Sequence, residues 1–505
     1  MIAKFWNYNK MDLRFSWSSF IGRGKVALCE PQDFLTLGHL IYSLGVLVWK
    51  HMDLDESSVV NSVDDLVEFY RKTENGKDLY IGIEWERSGV YRDTLKPVTY
   101  EGDKGYLAVL KKLVAEAGWE IVDGYRNYIG ELRRGEAKVT LEADGRLELA
   151  GSPKKNLHDL AREFRIHANE VKEVSDFFDI AWLPIGWQPF HNDKEIEFVK
   201  KKRYQIVNNF GDEKWAEAQM KRNNGLTANF SYSDEKNAIR KAQIGFRIMP
   251  VIGAIFASSP FNEGKISEYL DMRRFCVLNS NPERNVAPKN ILSKDFSFTE
   301  WISFYTAMPV YLIKRKGKED LMPENLTFDK WINEGYEGIF PTVYDFDQHV
   351  KATWSDIRLR PNYLEYRVAD SVPMRYAMGV PALIKGLVFD SKSWRAVEDI
   401  TKDWTYEDII KANEEAWTHG LDTEIKGKTL LWYAKSLVHI ANEALHKFAR
   451  QTASSDTTDE SLFLAPLKDQ IYIKEKSIAS EMVELWEKEW DKNPRRLIEW
   501  CEKDK

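Results

Sequence analysis

The stretch that decides the fold is Tyr80–Glu86, which reads YIGIEWE. Successive side chains of a β-strand point to opposite faces, so the alternation predicts Ile81, Ile83 and Trp85 on one face and Glu84 and Glu86 on the other. Residues two apart on one strand lie ~7 Å from each other. We therefore expect a strand with an apolar face toward a core and a second face that carries two carboxylates.

A second pair of carboxylates flanks Ala143–Gly145, within residues 138–148, KVTLEADGRLE. An Asp-Gly step between two such runs is typical of a turn that joins antiparallel strands. A loop centred on Gly145 would place Glu142 directly opposite Glu148, ~5 Å away, where like charges destabilise the pair. A divalent cation would neutralise them.

A third strand, Tyr363–Arg367, places Glu365 and Arg367 on a common face. Hard cations such as Mg²⁺ or Mn²⁺ prefer oxygen ligands and bridge phosphates, so carboxylates repeated on three strands predict phosphoryl chemistry. The alternative, in which these glutamates are ordinary exposed side chains of a sheet, stays open. The candidate metal ligands are Glu84, Glu86, Glu142, Glu148 and Glu365.

The remaining pattern alternates strands and helices and predicts an α+β fold. We expect helices at 63–72 and 104–117 and further strands at 181–187, 226–232 and 362–368. After Asp403 the sequence is helical, apart from a polar loop at 451–460, and it closes with a charged helix at 475–492. The expected organisation is an N-terminal extension (1–60), a catalytic domain (61–403) and a helical C-terminal region (404–505).

Composition excludes several classes of protein. The 505 residues carry a net charge of −7, which provides no field for nucleic acid. Three cysteines are too few for a disulfide framework or a zinc site, and this usage predicts a cytoplasmic protein. The apolar run 34–49 is shorter than the ~20 residues of a membrane-spanning helix, and we expect a buried or docking helix there.

Several motifs, in this order along the chain, resemble the signatures of plant- and proteobacterial-type glutamate–cysteine ligases, and the likeness runs from about Tyr80 to the C-terminus. The motifs are YIGIEWERSGV (80–90), LEADGRLELAGSP (141–153), WLPIGWQP (182–189), SSPFNEGK (258–265) and RPNYLEYRVAD (360–370). The resemblance implies a glutamine-synthetase-like catalytic fold. In that fold an antiparallel sheet forms a funnel flanked by helices, here with a helical C-terminal cap.

The resemblance also implies an activity, namely ATP-dependent joining of the glutamate γ-carboxylate to the amine of cysteine. This is the first step of glutathione synthesis, and it proceeds through γ-glutamyl phosphate. The implied cofactor is Mg²⁺ or Mn²⁺, with ATP as co-substrate. The expected partners are ATP, glutamate and cysteine, with no nucleic acid and no membrane, and the expected state is a monomer or weak homodimer.

Matched position by position, the resemblance assigns the five glutamates to metal binding. It places Arg367 opposite the transferring phosphoryl group, with Glu365 as its catalytic neighbour. The positions implied to contact substrate or nucleotide are Arg203, Tyr204, Asn229, Arg273, Arg284 and Trp187. Each arginine could instead be structural, and Trp187 could equally belong to the core.

The sequence departs from the family pattern at Leu226–Ser231, LTANFS, where Thr227 and Ser231 stand in place of Gln and Asp. This departure keeps open a ligase that uses another amine, or a relative that binds nucleotide without turnover. A glycoside hydrolase with paired carboxylates and tryptophan platforms is a more remote alternative. Asn224 and Met378 stand where the resemblance places cysteines, so we expect no redox-controlled disulfide. A pair between Cys29 and Cys501 stays open if the two termini pack together.

Overall fold

The computed structural model describes residues 58–76, 79–125, 128–199, 213–315, 320–452 and 459–503. These residues belong to the unit Trp49–Lys505. The predicted helix at 34–49, and all but the last three residues of the predicted extension, lie outside the described residues. The boundary between 403 and 404 stays a prediction.

Nine antiparallel strands of the described chain form one sheet, with the order β10-β11-β7-β1-β5-β4-β3-β2 and with β6 paired to the far end of β1. Their bounds are β1 Ile81–Tyr91, β2 Glu120–Tyr125, β3 Tyr128–Arg134, β4 Ala137–Leu141, β5 Leu147–Ala150, β6 Ile180–Leu183, β7 Leu226–Ser231, β10 Ile357–Leu359 and β11 Tyr363–Tyr366. Two small hairpins lie outside this sheet: β8 Phe261–Asn262 with β9 Lys265–Ile266, and β12 Glu424–Ile425 with β13 Lys428–Thr429.

The helices surround this sheet and make up most of the C-terminal part. They are α1 Val63–Lys72, α2 Tyr106–Ala117, α3 Leu157–Phe178, α4 Glu213–Arg222, α5 Glu235–Phe256, α6 Met272–Ser280, α7 Phe298–Thr306, α8 Phe328–Glu334, α9 Val343–Lys351, α10 Met374–Ala377, α11 Gly379–Val388, α12 Ser391–Thr401, α13 Tyr406–His419, α14 Leu430–Thr452, α15 Ala465–Lys468, α16 Ile478–Lys488 and α17 Pro494–Cys501. Short 3₁₀ turns at Asp193–Glu195, Gly420–Asp422 and Glu460–Leu464, and a π turn at Asp469–Lys474, connect some of them.

Local sequence explains where several helices begin. Ser62 accepts a hydrogen bond from the backbone N–H of Asp65 and caps α1. Thr405 and Asp408 form a reciprocal capping box at the start of α13. These side chains satisfy backbone donors that the first helical turn leaves unpaired.

β1 lies at the centre of the sheet and pairs with three strands. Residues Ile81–Trp85 pair with β7, Glu84–Arg87 with β5, and Ser88–Tyr91 with β6. Its apolar face is covered by α3, where the Trp85 and Phe164 ring centroids lie 4.3 Å apart. The predicted division of β1 into an apolar face and a carboxylate face is therefore confirmed, and the strand positions its glutamates rigidly.

The α+β class with an antiparallel sheet is confirmed. The helix predicted at 63–72 matches α1, and the one predicted at 104–117 begins two residues later than expected. The strand predicted at 181–187 is wrong beyond Leu183, because the chain there leaves the sheet toward a buried loop. Within the described ranges, no helix is both long and apolar enough to cross a membrane.

Candidate active site

A polar cavity of about 380 Å³ opens over the carboxylate face of β1. Strands β3, β4, β5, β7, β10 and β11 contribute to its walls, together with helices α4 and α6. All five glutamates predicted as metal ligands line it, and so do the predicted residues Arg273 and Arg367. The sheet therefore gathers into one cavity side chains that are far apart in the sequence.

Three of these glutamates form a compact cluster. Glu86, Glu142 and Glu148 each offer one carboxylate oxygen, and these oxygens lie within 4.8 Å of one another. We call this set the glutamate triad. Oxygen ligands at such mutual distances suit a hard divalent cation, so the residues present fit the metal that the sequence predicts.

The predicted register of the hairpin, in which Glu142 lies opposite Glu148, is wrong by one residue on each strand. Leu141 pairs with Leu147, and Glu148 faces Thr140 instead of Glu142. The connection is a five-residue loop in which the backbone N–H of Gly145 donates to the Glu142 carbonyl at 2.9 Å. The backbone N–H of Glu142 donates to the Arg146 carbonyl at 3.1 Å, and the Glu142 carboxylate lies next to that of Glu148 and completes the triad.

Burial and crowded negative charge act together on the triad. Burial raises the pKa of Glu148 well above its usual range, and the charges of Glu142, Glu84 and Glu86 raise it further. The pKa of Glu84 is also raised, first by burial and then by Glu365, although Arg367 opposes that rise. A bound cation would relieve this repulsion and favour the ionised carboxylates.

Arg146 holds two members of the triad and was not found by the sequence reasoning. Its Nη1 donates to Asp144 at 2.6 Å, its Nε lies 3.4 Å from Glu86, and its Nη2 lies 3.8 Å from Glu142. Only 5% of Arg146 is exposed. The available signal was its position directly after the Asp-Gly step, between the two glutamates of the predicted hairpin.

The other end of the cavity is rich in arginine. Glu365 accepts from Arg358 Nε at 2.7 Å and from Arg367 Nη1 at 3.1 Å, and Arg360 Nε lies 3.5 Å away. Burial alone would raise the pKa of Glu365, but these three guanidinium groups outweigh it and lower the pKa. Glu365 is therefore ionised and belongs to an arginine cluster, apart from the glutamate triad.

Arg358 and Arg360 are further cavity residues that the sequence reasoning missed. They sit two residues apart on the β10 side of the hairpin, and Arg358 pairs directly with Glu365 in the β10–β11 ladder. The same alternation that revealed Glu365 and Arg367 was present in the preceding RLR segment. It could have been detected by extending the strand pattern upstream.

Two of the predicted substrate residues lie at or next to the cavity. Arg273 lines it and donates from Nη2 to the Arg367 carbonyl at 2.8 Å, with Asp370 3.6 Å from its Nη1. Asn229 donates from Nδ2 to Glu84 at 3.0 Å. Thr227, where the family pattern has Gln, lines the cavity directly opposite Glu84. The structure thus places Asn229 and Thr227 beside the same carboxylate.

The structure places the other predicted substrate residues elsewhere. Arg284 is buried away from this cavity, and its guanidinium donates to the carbonyls of Ala352, Pro309 and His349. Trp187 is fully buried in a small apolar cluster with Met272 and Cys276. This position fits the alternative in which Trp187 packs in the core. Arg203 and Tyr204 lie outside the described residues.

Comparison with known proteins adds an independent observation. The sequence model of a family described as glutamate-cysteine ligase family 2 matches residues 80–498. The chloroplastic glutamate–cysteine ligase of Nicotiana tabacum is 31% identical over 391 residues, which are 76% of this chain and 74% of that protein. The corresponding enzyme of Arabidopsis thaliana is 28% identical over 443 residues, 86% of this chain and 82% of that protein.

Among solved structures, the glutamate–cysteine ligase of Francisella tularensis in complex with AMP is similar over 85% of this chain and 90% of that chain, with 14% identity and a TM-score of 0.48. The plant relatives named above are chloroplastic enzymes, as are those of Solanum lycopersicum and Medicago truncatula. The cytoplasmic localisation predicted from cysteine usage is therefore wrong by comparison with these chloroplastic relatives. Few cysteines indicate a reducing compartment but do not identify it.

Proposed function

Since this chain belongs to the glutamate–cysteine ligase family 2, we propose that it joins the γ-carboxylate of glutamate to the amine of cysteine at the expense of ATP. The family match confirms the resemblance drawn from the sequence motifs. The enzyme class follows from it, and the glycoside-hydrolase alternative has no support in it.

The assignment of the site rests on one observation, the separation of acidic and basic side chains within a single cavity. The glutamate triad lies at one end, and the arginine cluster around Glu365 lies at the other. Glu86, Glu142 and Glu148 would hold Mg²⁺ or Mn²⁺, which when bound neutralises phosphate oxygens. The cavity thus offers a place for a metal-bound nucleotide and a place for a substrate anion.

The chemistry requires two anions to approach each other. The γ-carboxylate attacks the γ-phosphorus of ATP, the bond to the β–γ bridging oxygen breaks, and ADP leaves. The amine then attacks the carbonyl carbon of γ-glutamyl phosphate, a peptide-like C–N bond forms, and inorganic phosphate leaves with the proton transferred to solvent. Positive side chains directed at the transferring group reduce the repulsion in the first step.

Arg367 is suited to that task. Its Nη1 lies 3.1 Å from Glu365 and 3.9 Å from Glu84, so this member of the arginine cluster also faces a carboxylate of β1. Burial disfavours the charged form, but Glu365, Glu84 and Glu86 together raise the pKa of Arg367 and keep it cationic. The Arg358 guanidinium is committed to Glu365 and to the carbonyls of Lys351 and Thr353, whereas Arg360 Nη1 has no hydrogen-bond partner among the described residues and is available to a substrate carboxylate.

A second candidate is a ligase of the same mechanism with a different acceptor amine. Thr227 supports it, because this residue replaces the family Gln beside Glu84 and alters the cavity wall. The two candidates share the activation of glutamate by ATP and differ only in the amine that accepts the γ-glutamyl group.

One experiment separates these possibilities. The purified chain is incubated with Mg²⁺, ATP, glutamate and a panel of amines that includes cysteine, and ADP release and product mass are followed. We expect a γ-glutamyl–cysteine product whose formation stops on addition of EDTA and resumes with excess Mg²⁺. A product formed only with an amine other than cysteine would favour the second candidate. Nucleotide binding without ADP release, whichever amine is added, would contradict both candidates.

A further inference from the structure

A second cavity lies on the opposite face of β1 from the glutamate triad. It has a volume of about 110 Å³, is open to solvent, and is lined by residues of β1, β6, α3 and the C-terminal helix α17. Trp85, Trp182, Val171, Met374 and Cys501 give it a largely apolar wall. We call it the rear cavity.

Arg87 lines the rear cavity and is only 3% exposed. Its Nη2 bonds to Nε2 of His167 at 2.6 Å, and its Nε has no hydrogen-bond partner. The guanidinium stacks on Trp85, 4.0 Å from the ring centroid, and lies 5.8 Å from that of Trp182. Across the described ranges, no ion pair joins Arg87 to a carboxylate, and burial lowers the pKa of Arg87 to about 9.

The other charges at this cavity compensate one another. Arg92 donates to both carboxylate oxygens of Glu502, and Lys172 pairs with Asp176. His167 accepts from Arg87 and is neutral, because burial and then the charge of Arg87 lower its pKa well below the usual range. Arg87 is therefore the one cation of this wall that the described neighbours leave uncompensated.

Buried cations without a counter-charge are costly, and an arginine fork pairs best with a carboxylate. An apolar cavity of about 150 Å³ can hold benzene, and the rear cavity is somewhat smaller, at about 110 Å³, so it has room for a compact apolar body of at most that size. We propose that the rear cavity binds a compact organic carboxylate that pairs with Arg87 and packs its apolar body against Trp85, Trp182 and Val171. The proposal does not rest on the proposed ligase activity.

The binding test uses the full chain and defined probes. Isothermal titration calorimetry compares benzoate and hexanoate with benzamide, which has nearly the shape of benzoate but no charge. We expect saturable 1:1 binding of at least one carboxylate and at least tenfold weaker binding of benzamide. Saturating ATP and glutamate should leave this binding unchanged, since those substrates would occupy the other face of the sheet.

Variants then locate the site. Arg87→Met should weaken carboxylate binding at least tenfold, and Ala168→Leu should do the same by filling the cavity from α3 without touching the cation. Arg165→Met, which removes an exposed arginine from the same helix, should stay within twofold of the unmodified chain. If Arg87→Met does not fold, the Ala168→Leu variant and the benzamide comparison still decide the question.

Four results would overturn the proposal. They are the absence of saturable binding for both carboxylates, equal binding of benzoate and benzamide, displacement by ATP or glutamate, and undiminished binding in Ala168→Leu. Binding of chloride alone, measured at constant ionic strength, would also count against an organic ligand.

Discussion

The hydroxyl group of Thr140 donates a hydrogen bond of 3.1 Å to the carboxylate of Glu148, its direct partner across β4 and β5. This contact holds Glu148 toward the cavity from within the ladder, while Glu142 approaches it from the loop. The Glu148 carboxyl, whose pKa is raised first by burial and then by three neighbouring glutamates, is thus fixed in position by a neutral side chain.

Glu148→Gln should abolish most of the ligase activity without harming the fold. Gln keeps the size and the Thr140 contact but removes one anionic ligand, so we expect the rate to fall about a hundredfold or more. The free energy of unfolding should stay the same or rise slightly, because like-charge repulsion is relieved. Glu131→Gln, also at the cavity but paired with Lys138, is the matched control. Near-normal turnover of Glu148→Gln at saturating Mg²⁺ would contradict the metal assignment.

Arg146→Met should destabilise the protein by about 3 kcal/mol, because it leaves the buried Asp144 unpaired and removes the cation between Glu86 and Glu142. Arg162→Met removes an arginine–aspartate pair whose arginine is 71% exposed, and should cost at most about 1 kcal/mol. Urea unfolding of both variants measures the contrast. Equal effects of the two substitutions would show that Arg146 does not hold the loop.

Gly145→Ala should disrupt the loop that delivers Glu142. Gly145 has φ +90, and an added Cβ would lie 2.5 Å from Cδ2 of Tyr106. We expect a loss of about 2 kcal/mol or more from strain and overpacking, together with reduced activity. Gly135→Ala is the control, since that residue also has positive φ but nothing lies within 4 Å of its Cβ position. Similar losses in both variants would assign the effect to backbone strain alone.

Lys241 should make the free energy of unfolding depend on pH above neutrality. The side chain is buried, with its Nζ 2.7 Å from the Ser231 carbonyl, and burial lowers its pKa to about 7. Between pH 7 and the unfolded pKa of ~10.4, the unfolded chain binds more protons, so stability rises with pH by up to about 1.4 kcal/mol per unit. Lys241→Met should lack this rise between pH 7 and 9.5, measured by urea unfolding.

Lys236→Met, an exposed substitution on the same helix, should retain the pH dependence of the unmodified chain. If Lys241→Met shows the same slope as the unmodified chain, Lys241 is not the titrating group.

Oxidation followed by thiol reductant should leave ligase activity within about twofold. Cys276 and Cys501 are both buried, and burial raises the pKa of the Cys276 thiol, which keeps it in the unreactive protonated form. The measurement is activity with parallel counting of free thiols by intact mass. A reversible tenfold change accompanied by the loss of two thiols would overturn this expectation.

Strand alternation was sufficient to predict which side chains of β1 and β11 face the cavity, because that periodicity is local. The hairpin register was not predictable in this way, since a five-residue loop and a tight turn share the same Asp-Gly signature. The positions of Arg284 and Trp187 depend on contacts distant in sequence. A motif match marks such residues as important but does not say whether they face a ligand or the core.

The position of β1 at the centre of the sheet has a consequence for how the chain folds. β1 is made early in synthesis, but its partners β5, β6 and β7 follow much later, and β11 closes the far side of β7 only after residue 366. Pairings between such distant segments have high contact order and form slowly. The nascent chain must therefore keep the edges of β1 free of wrong partners until β7 has been made, at Ser231, so chaperone dependence should be concentrated in this interval.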